Sequence, residues 1–273
     1  MTDGAGIASE SGGGVAAADG PEPAVRVVDL TKEFPGGVRA LGGVTFDVPK
    51  GELVSIIGPS GCGKTTTLKI IAGLIEATSG RVEVDGAPVT TPGPDRAFVF
   101  QDFALMPWAT VLRNAAFGLE LRGVPRRERE DAARAYVDKV GLSGFEDAYP
   151  HQLSGGMRQR VGLARALAVD ADILLMDEPF ASVDEQIRRK FQEDLLELLS
   201  GEGKTVIFVT HSIEEAVYVS DQIVILTRGP SRVSNVIRPG VDRSGGSDSI
   251  RRSQAYLDWV EQIWHELQGY LDQ

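Results

Sequence analysis

Short apolar runs alternate along this chain with longer stretches of helical pattern. Val25, Val27, Val28 and Leu30 predict a strand over Val25 to Phe34, closed by the turn Pro35-Gly36-Gly37. Val44-Thr45-Phe46-Asp47-Val48 alternates apolar and polar positions and predicts another. Leu53-Val54-Ser55-Ile56-Ile57 reads as a buried strand, and Thr66 to Ala72 as the helix after it. Arg81 to Val84, ending at Asp85-Gly86, and Arg96 to Phe100 complete the strands of the first half. From about 110 to 168 the pattern is mostly helical, with Leu112, Ala115, Ala116, Leu119 and Leu121 at helical spacing. The mixed-charge run Pro125 to Asp131 opens a solvated helix. Strands return at Ile173 to Met176, Thr205 to Thr210 and Ile223 to Leu226, with helices between them such as Glu185 to Leu199. After the linker Ser244-Gly245-Gly246-Ser247, the residues Tyr256, Val260, Ile263, Leu267 and Leu271 share one face of a terminal helix.

Strands alternating with helices predict an α/β fold whose sheet is largely parallel, and the helical block reads as an insertion. Residues 1–23 are Gly, Ala and acid without an apolar pattern, and are expected to be disordered. A main domain is expected over 24–240, with a helical subdomain at about 103–168, and 241–273 form the linker and the last helix. The 42% hydrophobic content over 273 residues suits a soluble globular chain. No apolar run approaches the roughly 18 residues that span a bilayer, and no basic stretch precedes an apolar core at the N-terminus. The single cysteine, Cys62, excludes a disulfide within the chain and suits a reducing cytoplasm. The net charge is −11, and Asp3, Glu10, Asp19 and Glu22 precede the first basic residue, Arg26. Sequence-independent nucleic-acid binding is therefore disfavoured.

The densest chemistry lies in Gly58-Pro59-Ser60-Gly61-Cys62-Gly63-Lys64-Thr65, which fits G-x-x-x-x-G-K-[ST] between a predicted strand and helix. Its glycines let backbone N–H groups curl inward on phosphate oxygens, and the following helix adds its positive end. Lys64 reaches the outer phosphates, and the Thr65 hydroxyl is a Mg²⁺ ligand. Nucleotide binding is the expectation, with Thr66 continuing the loop into the helix. Ile173-Leu174-Leu175-Met176-Asp177-Glu178 is an apolar strand ending in two carboxylates, the Walker B arrangement in which the first holds Mg²⁺ and the second faces an attacking water.

Leu153-Ser154-Gly155-Gly156-Met157-Arg158-Gln159-Arg160 resembles the signature motif of ATP-binding cassette (ABC) proteins. Ser154 is placed to cap a helix running to Ala168, and the Gly pair leaves N–H groups open to a phosphate. The other landmarks fall in family order. Phe34 resembles the aromatic residue that stacks on adenine, Gln101 the Q-loop glutamine, Ala181-Ser182-Val183-Asp184 the D-loop, and Thr210-His211-Ser212 the switch-histidine loop. His151 and His265 match nothing. The resemblance runs from about Val25 to Arg238. It implies a P-loop NTPase fold: a RecA-like core with a mostly parallel sheet, a small antiparallel β subdomain and an inserted α-helical subdomain. It implies an ATPase that uses ATP and Mg²⁺, working as a head-to-tail homodimer. In that arrangement Ser154, Gly155 and Gly156 close over the partner's ATP and Asp184 links the two sites. Thr65, Gln101 and Asp177 organise Mg²⁺, Glu178 is the general base, His211 holds the γ-phosphate, and Lys64 neutralises phosphate charge.

The run Leu105 to Leu112, with Phe117 to Gly123, Met157 and Phe180 to Asp184, is similar to the nitrate/sulfonate/taurine importer subfamily. That resemblance implies import of a small solute, membrane permease subunits whose coupling helix docks near Gln101 to Trp108, a solute-binding protein, and a peripheral place on the cytoplasmic face of the membrane. The segment after Arg238 is too short for the regulatory domain of sugar-importer relatives. A soluble ABC ATPase without a transporter and the ATPase of an exporter are the alternatives.

Overall fold

The computed structural model describes residues 22–181, 185–243 and 246–271. Its framework is a six-stranded sheet of β3 (Leu53–Ile57), β6 (Arg96–Val99), β7 (Ile173–Asp177), β8 (Thr205–Val209), β9 (Gln222–Leu226) and β10 (Val233–Ile237), in the order β10-β9-β3-β8-β7-β6. All pairings are parallel except β10 with β9. A second, antiparallel sheet has the order β2-β1-β4-β5 and contains β1 (Val25–Phe34), β2 (Val38–Val48), β4 (Ser79–Val84) and the short β5 (Ala87–Pro88). The two sheets, with helices inserted between β6 and β7, are the arrangement expected of a P-loop ABC ATPase.

Strand periodicity explains the layering. In β7, Ile173 and Leu175 face one core while Leu174 and Met176 face the other, and Ile207 and Phe208 of β8 divide the same way. The first core joins the large sheet to α1 (Lys64–Ile71) and the antiparallel sheet; the second joins it to the remaining helices. Both faces are covered, so the central strands read as nearly continuous apolar runs.

Between β6 and β7 lie α2 (Val111–Leu121), α3 (Arg126–Lys139) and α4 (Gly155–Ala168), packed on one another. Ala115 and Ala116 are buried as their spacing predicts, but Leu121 ends α2 in solvent, 72% exposed. Two elements run further than their pattern shows: the strand β2 begins at Val38 rather than Val44, and the helix α1 begins at Lys64, inside the phosphate-loop motif. The edge strand β10 carries no clear alternation and is held by pairing with β9.

After β8 come α6 (Ile213–Val219) and, near the C-terminus, α7 (Ser247–Arg251) and α8 (Gln254–Leu271); α5 (Glu185–Leu199) precedes β8. The α8 face predicted from spacing packs on α6. Tyr256 and Ile263 are buried there, and the Tyr256 hydroxyl donates to the Glu214 carbonyl at 3.1 Å. Burial pushes the Tyr256 phenol up to about 12. The Arg251 guanidinium lies 4.0 Å from the centre of the Tyr218 ring. Residues 1–21, Ser182 to Asp184, Ser244, Gly245, Asp272 and Gln273, and the side chains of Glu185, Gln186, Ile187 and Leu271, lie outside what the structure describes.

Because Ile263 is fully buried in this contact, Ile263→Ala is expected to lower the unfolding free energy by about 2–5 kcal/mol. A urea titration monitored by circular dichroism reads it. An unchanged midpoint would mean that α8 contributes nothing to the fold.

Candidate active site

The carboxyl ends of β3, β8, β7 and β6 lie side by side, and residues just beyond each build one site. This is the edge at which open parallel sheets place their ligands. Beyond β3 the chain curls through Gly58 to Gly63 and enters α1. Gly63 caps α1 with φ 98°, and a Cβ there would come within 2.7 Å of Leu41. A Cβ on Gly58 would meet the Leu226 carbonyl oxygen at 2.8 Å. Gly58 is needed because backbone passes too close for a side chain, and Gly63 because its left-handed φ and the Leu41 side chain both exclude a Cβ.

Lys64 is buried, and its ammonium donates to the Gly58 carbonyl at 2.9 Å and the Pro59 carbonyl at 3.2 Å. The cationic head therefore sits inside the curl of the loop. Thr65 Oγ1 donates to Asp177 Oδ1 at 2.8 Å, joining the phosphate loop to the end of β7. Asp177 is only 4% exposed, and burial pushes its carboxyl pKa up, against the Thr65 hydrogen bond and the charges of Lys69 and Lys64.

Glu178 turns sharply away from β7 with φ 47°, a left-handed conformation for a residue with a Cβ. Its amide donates to the Val209 carbonyl at 3.0 Å. Its Oε2 lies 3.4 Å from Gln101 Nε2 and 3.3 Å from His211 Nδ1. Three residues from the ends of three strands thus meet at one carboxylate oxygen. Behind His211, the Thr210 hydroxyl donates to the buried Glu215 carboxylate and accepts from the Ser212 amide at 3.0 Å, which fixes the loop to the start of α6.

These groups border a cleft of about 670 Å³, lined by Phe34, Val38, Arg39, Ala40, Ser60, Gly61, Gly63, Lys64, Thr65, Thr66, Glu178 and His211. That volume suits one small ligand. Phe34 is half-exposed at its rim, with the Lys32 ammonium 5.2 Å from its ring centre. Val38, Arg39 and Ala40 were not singled out from sequence. The cue was the Gly36-Gly37 turn, which folds β2 back so that Val38 pairs with Phe34.

Other residues singled out from sequence lie elsewhere. Cys62 turns away from the cleft into the core, its amide donating to the Pro59 carbonyl and its thiol pKa raised by burial. Ser154 caps α4 as expected, its Oγ accepting from the Met157 amide at 3.2 Å. Ser154, Gly155 and Gly156 do not line the cleft of their own chain. Asp184 lies outside the described residues. His151 stacks on Tyr149, and His265 lies 3.7 Å from Glu261, both away from the site.

The ABC transporter family matches residues 41–181. An uncharacterised ABC transporter ATP-binding protein of Methanocaldococcus jannaschii is 50% identical over 88% of this chain and 89% of its own length. The taurine import ATP-binding protein TauB of Chromobacterium violaceum is 48% identical over 85% of this chain and 89% of its own, and that of Rhizobium johnstonii is 45% identical over 83% and 88%. Among solved structures, an ATP-binding cassette in a dimeric post-hydrolysis state with ADP and Pi superposes with a TM-score of 0.69 at 35% identity, over 78% of this chain and 98% of that one. The fold is shared with cbiO1 from Clostridium perfringens, part of the ABC transporter complex cbiONQ, at a TM-score of 0.73, 24% identity, and 90% and 99% coverage. A P-loop site set on a RecA-like core defines a nucleotide-hydrolysing protein. This chain belongs to the ABC transporter ATP-binding family, and it is an ATPase of that family. Among the described residues no helix is long and apolar enough to cross a membrane.

The raised Asp177 pKa has a consequence for stability. A carboxyl raised above its ordinary 3.8 favours the fold when protonated, and that contribution is lost as pH rises through the folded-state value. The charged form therefore weakens the fold at neutral pH. Asp177→Asn is expected to raise the Tm at about pH 7, with the gain shrinking towards about pH 4. A lower Tm for the variant at neutral pH would contradict the assigned burial cost.

Proposed function

We propose that this chain is the ATP-hydrolysing subunit of an ABC importer for a small solute of the nitrate/sulfonate/taurine class, taurine being the first candidate. The likeness to the taurine import proteins over most of both chains carries this reading. Phe34 stacks on adenine at the cleft rim. The loop amides and Lys64 cradle the phosphates. The residues present suit Mg²⁺: the Thr65 hydroxyl and the buried Asp177 carboxylate are hard oxygen donors, and Asp177 lacks a full counter-charge. When bound, Mg²⁺ neutralises phosphate charge. Gln101 completes that set.

Glu178 orients and deprotonates the water for in-line attack, and His211 holds the γ-phosphate and the water in register. Because Ser154, Gly155 and Gly156 stand outside their own cleft, they serve the ATP of a second copy in a head-to-tail homodimer. Asp184 links the two sites. This division of labour makes catalysis a matter of positioning and charge stabilisation.

Beside Gln101 runs a groove of about 310 Å³ lined mainly by Ala97, Phe98, Phe100, Ala104, Phe117 and Gly118. Its apolar floor suits the coupling helix of a permease subunit. Trp108, 72% exposed, stands apart from the groove on the same loop. In this reading the chain sits peripherally on the cytoplasmic face of the membrane, beneath permease subunits served by a solute-binding protein.

The test is capture of tagged Glu178→Gln protein with Mg-ATP from detergent-solubilised native membranes, with the co-purified proteins identified by mass spectrometry. A multi-span membrane subunit together with a solute-binding protein is expected. Soluble partners alone, from a well-extracted membrane fraction, would move the assignment to a soluble ABC ATPase. A membrane subunit without a solute-binding protein would favour an exporter.

A further inference from the structure

Two residues past Gln101 the backbone adopts a conformation that L residues avoid. Phe103 has φ 59° and Ala104 φ 43°, consecutive left-handed residues with neither one a glycine. Such a pair persists only where the surroundings over-determine it. Here the surroundings are α4. The Phe103 side chain is buried, and its Cβ faces Gly162 of α4. From the same helix Arg165 extends a guanidinium whose Nη2 donates to the Phe103 carbonyl at 2.6 Å and whose Nη1 donates to the Ala104 carbonyl at 2.8 Å.

Among the described residues no carboxylate pairs with Arg165, and desolvation alone lowers its pKa. Its charge is spent on those two carbonyls. A planar fork matches two adjacent carbonyls, whereas a lysine ammonium is a point charge on a flexible stem. Asn114 of α2 holds the next stretch: its Oδ1 accepts from the Met106 amide at 2.8 Å, and its Nδ2 donates to the Ala109 carbonyl at 3.0 Å. The loop is thus clamped from two helices, while Gln101 itself is exposed and reaches Glu178 only at 3.4 Å.

We propose that Arg165 is a positioning residue for ATP hydrolysis: it holds the Gln101 loop in the shape that brings Gln101 to Glu178, and ties that loop to the helix headed by Ser154. The proposal rests on the reading of Gln101 and Glu178 given above. About 16 Å of continuous helix separates Ser154 from Arg165, so the two ends move as one rod. Engagement of Ser154 with the second copy's nucleotide is therefore felt at Gln101. Arg165 also lines the apolar groove beside Phe98 and Phe117, so a helix seated there bears on the same clamp.

The test is a double-mutant cycle on the full chain, with kcat, KM and the affinity for a fluorescent ATP analogue measured for Gln101→Ala, Arg165→Lys and both together. Arg165→Lys is expected to lower kcat about tenfold to a hundredfold with KM and affinity within about twofold, the mark of misplacement rather than lost binding. The double variant should be no slower than Gln101→Ala alone within about twofold, because both act on one group. Hydrogen exchange should quicken at Phe103 and Ala104 and stay unchanged in β7. If Arg165→Lys does not fold, Arg165→Gln takes its place with the same readouts. Wild-type kcat in the folded variant, or losses that multiply in the double variant, would overturn the proposal alone. Wild-type kcat in Gln101→Ala would overturn the reading of Gln101 and this proposal with it.

Discussion

The hydrogen bond from Thr65 to Asp177 joins two strand ends that are not neighbours in the sheet. β8 lies between β3 and β7, and its own end delivers His211 into the gap. Everything else in the site is arranged around this bridge. It sets the phosphate loop against the first carboxylate, and the sharp turn at Glu178 then places the second carboxylate between Gln101 and His211. The bridge holds because the strands beneath it are buried on both faces and have no freedom to slide.

The site carries local costs that the scaffold absorbs. Asp177 is buried without a full counter-charge, Glu178 and the Phe103–Ala104 pair hold left-handed backbone, and Lys64 is enclosed by carbonyls. None of these helps the chain fold. Asp177, Glu178 and Lys64 set their charged groups at the phosphate loop and its cleft, and the Phe103–Ala104 pair shapes the loop after Gln101. The compensation lies in two apolar cores on either side of the large sheet, and in the C-terminal helices that grip α6, the helix that begins just after His211.

Much of this was legible in the sequence, for reasons particular residues make plain. The buried strands read clearly because β3, β7 and β8 are mostly apolar, and the phosphate loop read clearly because its glycines, Lys64 and Thr65 fall at a fixed spacing between a strand and a helix. Features that depend on tertiary contact did not read. Leu121 keeps helical spacing yet faces solvent at the last residue of α2. Arg39 reaches the cleft only because a turn folds β2 back on β1. Asn114 and Arg165 look like ordinary helix residues, and their grip on the loop after Gln101 exists only once α2 and α4 have packed. The strand β10 is made by its partner rather than by its own pattern.

In the function proposed above, one carboxylate, Glu178, held between Gln101 and His211, is the base for hydrolysis of bound ATP. The most direct measurement is single-turnover hydrolysis by Glu178→Gln beside its equilibrium affinity for ATP. Affinity near that of the wild type with hydrolysis slowed by about a hundredfold or more is the predicted result. Turnover at the wild-type rate would contradict the account, and the base would have to be sought elsewhere in the cleft.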